Sequence, residues 1–328
     1  MNTAGRLGAY AAGLAVVFTG AFTAAGAVVP EQTVTAWQQS AASSTGEHGS
    51  TTENAAAGTV KTSSPTQGVT SERSGYLLRE VTAPAATGTA GELAFTITGP
   101  DNSPVTQFDT SHEKQAHLIV VRSDGTHYRH VHPVMDATGR WSLPWQWEAA
   151  GTYRIYADVV PAGVGENLTL TRTVDVAGTL QPAAPGVSAT DDVAGFQVSL
   201  NGGLTAGSSS ALTVSVKRGG QPVTTLEPYL GAYGHLVALR AGDLAYLHTH
   251  PEGAEPVPGE VSGPAVDFAT TAPTPGRYYL YFDFQVNGKV HTARFALDSE
   301  GSTTAPADTA TPADTPAGST GHDGHGDH

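Results

Sequence analysis

Short apolar or alternating runs, separated by Gly, Pro, Asn and Asp, fill the middle of this chain. Examples are HLIVVR at 117–122, TYRIYADVV at 152–160 and RYYLYFDFQ at 277–285. Such runs are typical of β-strands, and no stretch has a sustained helical period. The pattern predicts an all-β fold, with two tandem Ig-like or cupredoxin-like β-sandwich domains after an N-terminal hydrophobic segment.

One histidine pattern occurs twice in the chain. HLIVVRSDGTHYRHVHP at 117–133 aligns without gaps with HLVALRAGDLAYLHTHP at 235–251, 118 residues further on. The residues shared by the two copies are His117, His130 and His132 in the first and His235, His248 and His250 in the second. A fixed offset of this kind indicates an internal duplication. Its signature is polar, which makes a metal site the first function to consider.

Composition divides the chain into five segments. We expect a signal peptide or membrane anchor at 1–30, a disordered linker at 31–75, sandwich repeats at 76–180 and 186–298, and a disordered His-containing tail at 299–328. The linker and the tail have few large apolar residues, so they cannot bury a core. Histidines in the tail, namely His322, His325 and His328, could bind metal loosely.

The N-terminal segment carries one basic residue, Arg6, and then no charge through residues 7–29. This stretch is long enough to tether the chain to a membrane, while Ala25-Gly26-Ala27 is an acceptable signal-peptide cleavage site. Both interpretations place the rest of the chain outside the cytoplasm. We therefore expect an extracytoplasmic protein that is either membrane-anchored or secreted.

In each copy, the three histidines are predicted to lie on one face of a hairpin. Residues two apart in a strand share a face, so His130 and His132 point the same way. With Asp124-Gly125 as a two-residue turn, His117 lies directly opposite His132. A two-residue turn at Gly242-Asp243 gives the equivalent prediction for the second copy.

In that second hairpin, His250 would oppose His235. A cluster of three imidazoles suits a copper or zinc ion, Cu(II) or Zn(II), with a fourth position for water or another ligand. The chain has no cysteine and two methionines, so a soft-ligand Cu(I) site is poorly supported. The sequence leaves two arrangements open: separate sites, or halves packed about a pseudo-twofold axis that brings the clusters together.

Fourth ligands are less well defined. The candidates are His112 and His127 in the first copy, His291 in the second, and the equivalent residues Asp158 and Asp283. Each aspartate could bind metal or orient an imidazole. A strand-end cap, or a salt bridge to Arg122 or Arg240, is the favoured interpretation of these carboxylates. Three tryptophans at period two, Trp141, Trp145 and Trp147, are expected in the core.

Charge and motifs exclude several classes of function. Thirty Asp and Glu against sixteen Lys and Arg give a net charge of −14, which argues against nucleic acid as a partner. The chain has no dinucleotide fingerprint, phosphate loop or Ser-His-Asp order. We expect a metal-binding protein that is not an enzyme, with metal ions as its partners. The alternatives are a cell-surface structural or adhesion module with incidental histidines and, with less support, a metallohydrolase.

At HLIVVRSDGTHYRHVHP and GHLVALRAGDLAYLHTHP, the chain resembles uncharacterised exported actinobacterial proteins with two such repeats. Those proteins are loosely similar to YtkA-like and copper-chaperone-type β-sandwich modules. The resemblance covers roughly residues 76–298 and implies an extracytoplasmic role in metal handling. The thioether-rich ligands of periplasmic Cu(I) chaperones are missing, and the group has no firm activity to transfer.

Overall fold

The structure is a computed structural model, and it describes residues 68–247, 249–257 and 259–301, without the side chain of His250. All regular elements in these residues are β-strands, which confirms the predicted all-β class. The strands are β1 (Glu72–Arg73), β2 (Tyr76–Leu78), β3 (Ala90–Thr98), β4 (Phe108–Asp109), β5 (Ala116–Arg122), β6 (Arg129–Val131), β7 (Val134–Met135), β8 (Arg140–Gln146), β9 (Gly151–Pro161), β10 (Leu168–Val176), β11 (Thr190–Val193), β12 (Phe196–Asn201), β13 (Leu204–Thr205), β14 (Ser209–Arg218), β15 (Gln221–Pro222), β16 (His235–Arg240), β17 (Tyr246–Leu247), β18 (Thr249–Pro251), β19 (Ala265–Thr271), β20 (Gly276–Val286) and β21 (Lys289–Glu300).

The segment predicted as a signal peptide or anchor lies outside the described residues, as do most of the linker and nearly all of the tail. Strand β1 falls inside the segment predicted as linker, so the first sandwich begins earlier than expected. Within the described part of the chain, no helix is long and apolar enough to cross a membrane.

Each repeat is a β-sandwich, as predicted. In repeat 1, sheet β1-β2-β3-β8-β7 packs on sheet β10-β9-β5-β6, with β4 added to β9. In repeat 2, sheet β11-β12-β14-β19-β18, with β15 added to β14, packs on sheet β13-β21-β20-β16-β17. The core of repeat 1 contains Trp141, Trp145 and Trp147, as the period-two pattern predicts. Aromatic residues also fill the core of repeat 2, among them Phe268, Phe282 and Phe284.

The two sandwiches share a third core between them. All seven residues of β5 are buried, which requires cover on both faces of the strand. Leu118 and Val120 face the core of their own sandwich, whereas the alternate residues of the strand face repeat 2. There, Ile119 packs in one cluster with Val237 and Leu239 of β16. The repeats therefore pack sheet against sheet, through β5 and β16.

Tyrosines make equivalent contacts on both sides of this interface. Tyr128 of repeat 1 stacks on Tyr281 of repeat 2, with ring centroids 3.9 Å apart and planes inclined by 4°. The duplicated residues form the reciprocal pair, in which the rings of Tyr246 and Tyr156 lie 5.8 Å apart. This reciprocity indicates an approximate twofold relation between the repeats.

The hydroxyls of two of these tyrosines bind the turns of the opposite repeat. Tyr281 donates to the carbonyl oxygen of Gly125 at 2.7 Å, and Tyr156 donates to that of Leu244 at 2.5 Å. The Tyr128 hydroxyl is also buried, but it makes no hydrogen bond with any described residue. A matched pair of substitutions follows from this difference.

Tyr281→Phe should lower the free energy of unfolding by about 1–2 kcal/mol, since it leaves a buried carbonyl without its donor. Tyr128→Phe, in the ring stacked against it, should be neutral or stabilising because it removes a buried hydroxyl without a partner. Urea denaturation at pH 7 measures both effects. Equal destabilisation by the two variants would contradict the assignment of the cross-repeat hydrogen bond.

Candidate metal centre

The first hairpin has the predicted register but a longer turn. Arg122 N–H donates to the Thr126 carbonyl oxygen at 2.9 Å, and Gly125 N–H donates to the Arg122 carbonyl oxygen at 2.8 Å. Three residues therefore form the turn instead of two, and Gly125 adopts the positive φ, 78°, that such a turn requires. An extra residue at His127, with φ 52°, then restores the predicted pairing of β5 with β6.

This register brings His117, His130 and His132 together. Nδ1 of His117 lies 3.1 Å from Nε2 of His130 and 3.2 Å from Nε2 of His132. One ligand nitrogen from each ring lies within 4.8 Å of the other two. In a tetrahedral zinc site, bonds of 2.0–2.1 Å place the nitrogens about 3.3 Å apart. Two of the three spacings therefore fit a metal site closely.

The outward nitrogens of two of these rings are engaged by acceptors. Nε2 of His117 lies 3.0 Å from the carbonyl oxygen of Ser111, and Nδ1 of His130 lies 2.9 Å from Oδ2 of Asp283. A carbonyl or carboxylate oxygen accepts, so each outward nitrogen carries the ring's N–H. A neutral imidazole has a single N–H. When both rings are neutral, the inward nitrogens, Nδ1 of His117 and Nε2 of His130, direct lone pairs at each other.

The contacts of Asp283 correct the favoured prediction for this residue and for Asp158. Arg122 pairs with Asp124, and Arg240 pairs with Asp243, each in its own turn. The ladders explain why: His117 pairs with Asp158, and Arg122 pairs with Tyr153, so Asp158 and Arg122 lie at opposite ends of the β5–β9 ladder. The less favoured interpretation, a carboxylate that orients an imidazole, describes the contact of Asp283 with His130.

In repeat 2, the chain leaves the hairpin before it can make the predicted pairing of His235 with His250. Hydrogen bonds from Arg240 N to Ala245 O and from Leu244 N to Arg240 O enclose a four-residue turn, again longer than the two residues predicted. Pairing of β16 with β17 has the predicted register but ends at Leu247. Strand β18 then joins the other sheet.

Of the predicted second cluster, the structure describes the side chain of His235. His248 and the side chain of His250 lie outside the described residues. Nε2 of His235 lies 2.8 Å from the carbonyl oxygen of Tyr229, the same contact that His117 makes in repeat 1. The His235 ring also lies 5.5 Å from that of His112. His235 therefore approaches the first cluster across the repeat interface.

The other histidine candidates for a fourth ligand differ in position. The exposed ring of His112 lies 6.1 Å from that of His117, so it borders the cluster. His127 lies at the opposite end of the hairpin, where its Nδ1 is 3.8 Å from the Glu148 carboxylate. His291 packs against Phe284 in repeat 2, on the face of β20 that lines the core. Neither His127 nor His291 joins the cluster.

Burial favours the neutral form of three imidazoles at this site, those of His117, His132 and His235. Loss of hydration lowers the pKa of His117 to about 4 and that of His132 to about 3, and the neighbouring imidazole of His130 lowers both pKa values further. Burial likewise lowers the pKa of His235 to about 4. At neutral pH these rings are in the deprotonated form that metal ions bind.

Comparison with known families identifies the repeat. The domain of unknown function DUF8832 matches residues 72–178 and again residues 191–301, more than half of the chain. The chain belongs to the DUF8832 family. The two matches show that the internal duplication of this DUF8832 protein consists of two copies of one domain. No curated protein matches it.

Among solved structures, similarity is weak. The chain is similar to Salmonella alpha-2-macroglobulin reacted with methylamine (14% identity, 72% of this chain and 15% of that chain covered, TM-score 0.24), to the D00-D0 domain of intimin (9% identity, 66% and 94%, TM-score 0.20) and to a putative membrane anchored protein from Corynebacterium diphtheriae (10% identity, 67% and 58%, TM-score 0.20). The DUF8832 chain thus spans about 15% of the length of the macroglobulin. Likenesses at these TM-scores carry no argument about function.

The metal-free protein should lose stability on mild acidification. In the unfolded chain, histidines titrate near pH 6.5, whereas the folded-state pKa values of His117 and His235 are about 4. Between these limits the unfolded state binds more protons, so the free energy of unfolding falls as pH decreases. Urea denaturation between pH 7 and pH 5 measures this slope. The double variant His117→Gln, His235→Gln should reduce the slope and leave the contribution of His132, and an unchanged slope would contradict the assignment.

Proposed function

We propose that this DUF8832 protein binds a divalent transition-metal ion, Cu(II) or Zn(II), through His117, His130 and His132. One observation carries the proposal: Nδ1 of His117 and Nε2 of His130 lie 3.1 Å apart while the outward nitrogens of both rings are engaged by acceptors. Two facing lone pairs repel each other, and burial weakens the screening by water. A metal ion between them converts this repulsion into two coordinate bonds.

A site made of the three imidazoles favours Cu(II) or Zn(II) among biological metals. Three neutral imidazoles suit both ions, whereas hard cations prefer oxygen ligands. Cysteine is absent from the chain, so no thiolate could select Cu(I). His112 and His235 border the cluster and are the candidates for a fourth ligand. The proposal assigns no reaction to the site.

An extracytoplasmic role in metal handling extends this proposal. Support comes from the uncharged segment at 7–29. The segment could act as a signal peptide or as a membrane tether. The second cluster, with His248 and His250, stays a prediction, as does any protein partner.

A structural or adhesion module on the cell surface is the second candidate. Two of the three histidines already hydrogen-bond within the protein, and the cluster borders the apolar core between the repeats. Such contacts would also suit histidines that serve packing alone. In that case, melting would be independent of metal, and histidine variants would retain partner binding.

Titration calorimetry with Zn²⁺ and Cu²⁺ tests the proposal in a chain whose tail histidines, His322, His325 and His328, are replaced by Asn. His132→Ala should weaken binding by about 100-fold or more, since losing a ligand should cost at least as much as losing a residue that orients one. His132 is the informative choice because it makes no hydrogen bond to repeat 2 among the described contacts. His127→Ala is the matched control in the same hairpin and should bind as the parent chain does.

Nitrogen hyperfine coupling in the electron paramagnetic resonance spectrum of the Cu²⁺ complex should report imidazole ligands, and His132→Ala should change it. Absence of binding at micromolar metal in the parent chain would overturn the proposal. An equal loss in His127→Ala and His132→Ala would also overturn it, since His127 lies outside the cluster. Either result would favour the structural module.

A further inference from the structure

We propose that repeat 2 completes the metal centre of repeat 1, with Asp283 as the positioning residue for His130. Metal binding then stabilises the packing of the two repeats against each other. The metal-binding part rests on the proposed function. The effect of Asp283 on His130 exists without metal and can be measured separately.

Asp283 is a buried carboxylate whose two oxygens are both engaged. Its side chain is 2% exposed. Oδ2 accepts from Nδ1 of His130 at 2.9 Å, and Oδ1 accepts from the Thr292 hydroxyl at 2.5 Å. Burying a carboxylate costs several kcal/mol unless it is paired and hydrogen-bonded. Thr292 therefore anchors one oxygen of Asp283, while the other oxygen contacts His130 of repeat 1.

The contact with Asp283 sets which nitrogen of His130 is available. An imidazole that donates through Nδ1 to a carboxylate presents its Nε2 lone pair, and the carboxylate makes that nitrogen a stronger base. It is Nε2 of His130 that lies 3.1 Å from His117. Without Asp283, the neutral ring could place its proton on either nitrogen, and one of these tautomers would present N–H to the metal.

The contact also crosses the repeat interface, because His130 belongs to β6 and Asp283 to β20. In the β16–β20 ladder, Asp283 pairs with His235, whose ring lies 5.5 Å from that of His112 beside the cluster. Metal affinity therefore depends on how the two sheets pack. By reciprocity, the ion stabilises the packed arrangement by the same free energy.

The duplication places an equivalent carboxylate in both repeats. In repeat 1, Asp158 pairs with His117 in the β5–β9 ladder, as Asp283 pairs with His235 in the β16–β20 ladder. Asp158 accepts from the Thr169 hydroxyl at 2.7 Å, which matches the anchoring of Asp283 by a threonine. Both repeats thus hold a threonine-anchored carboxylate at the same place in the fold.

The first measurement is the tautomer of His130 in the metal-free full-length chain, from imidazole ¹⁵N chemical shifts. The parent chain should show protonated Nδ1, and Asp283→Ala should shift the proton towards Nε2. Asp283→Asn keeps an acceptor oxygen of the same shape, so it should largely preserve the tautomer while removing the charge. Asp298→Asn, in the neighbouring strand β21, is the charge-matched control because Asp298 is exposed and pairs with Arg277.

The second measurement is Zn²⁺ affinity by calorimetry, in the tail-substituted background. Asp283→Ala should weaken binding by about 10–100-fold, the usual cost of losing a residue that orients a ligand. Asp283→Asn should weaken it less, and Asp298→Asn should leave it unchanged. Tyr281→Phe touches none of the three histidines but weakens the repeat interface, so it should lower Zn²⁺ affinity by about 2–10-fold through linkage.

The outcomes separate the two proposals. An unchanged His130 tautomer in Asp283→Ala would overturn the positioning role, whatever the metal result. A shifted tautomer in a chain that binds no Zn²⁺ would overturn the proposed function and the metal coupling while the positioning role stands. Normal Zn²⁺ affinity in both Tyr281→Phe and Asp283→Ala would overturn the coupling alone. If Asp283→Ala does not fold by circular dichroism, Asp283→Asn decides the affinity test.

Discussion

The packing of one sheet from each repeat against the other is the constraint on which the rest of the structure depends. A sandwich with one solvated sheet face alternates polar and apolar residues, but β5 is buried along its whole length. Ile119 and Val121 supply apolar contacts towards repeat 2, and His117 continues the same face to the edge of the interface. The histidines thus lie where the apolar interface between the repeats ends.

That location explains the electrostatics of the cluster. An exposed imidazole titrates near pH 6.5, but loss of hydration lowers the pKa of His132 to about 3. Imidazoles whose N–H groups donate to Ser111 and Asp283 have fixed donor and acceptor directions. Preorganised lone pairs of this kind lower the cost of ordering ligands when a metal binds. A metal site with the same histidines on a solvated hairpin would lack this advantage.

Local rules were sufficient to predict the sandwiches, the register of the first hairpin and the shared face of His117, His130 and His132. These features follow from period-two alternation and from pairing between neighbouring strands. The turn lengths were predicted wrongly, yet the register survived because the extra residue at His127 compensates for the odd turn. Register depends on which side chains must be buried, so it is specified more strongly than the turn.

The Asp283 contact could not be predicted in this way, because it joins residues 153 positions apart in different sandwiches. Nothing near Asp283 in the sequence indicates which imidazole it meets, and the nearby arginines offered a plausible local partner. The ladders decide the matter by placing each arginine and each aspartate at opposite ends of a strand pair. Packing of duplicated domains can therefore assemble a site that the sequence of either domain alone does not indicate. Asp283, which Thr292 anchors within repeat 2, contacts an imidazole only because repeat 1 brings His130 to it.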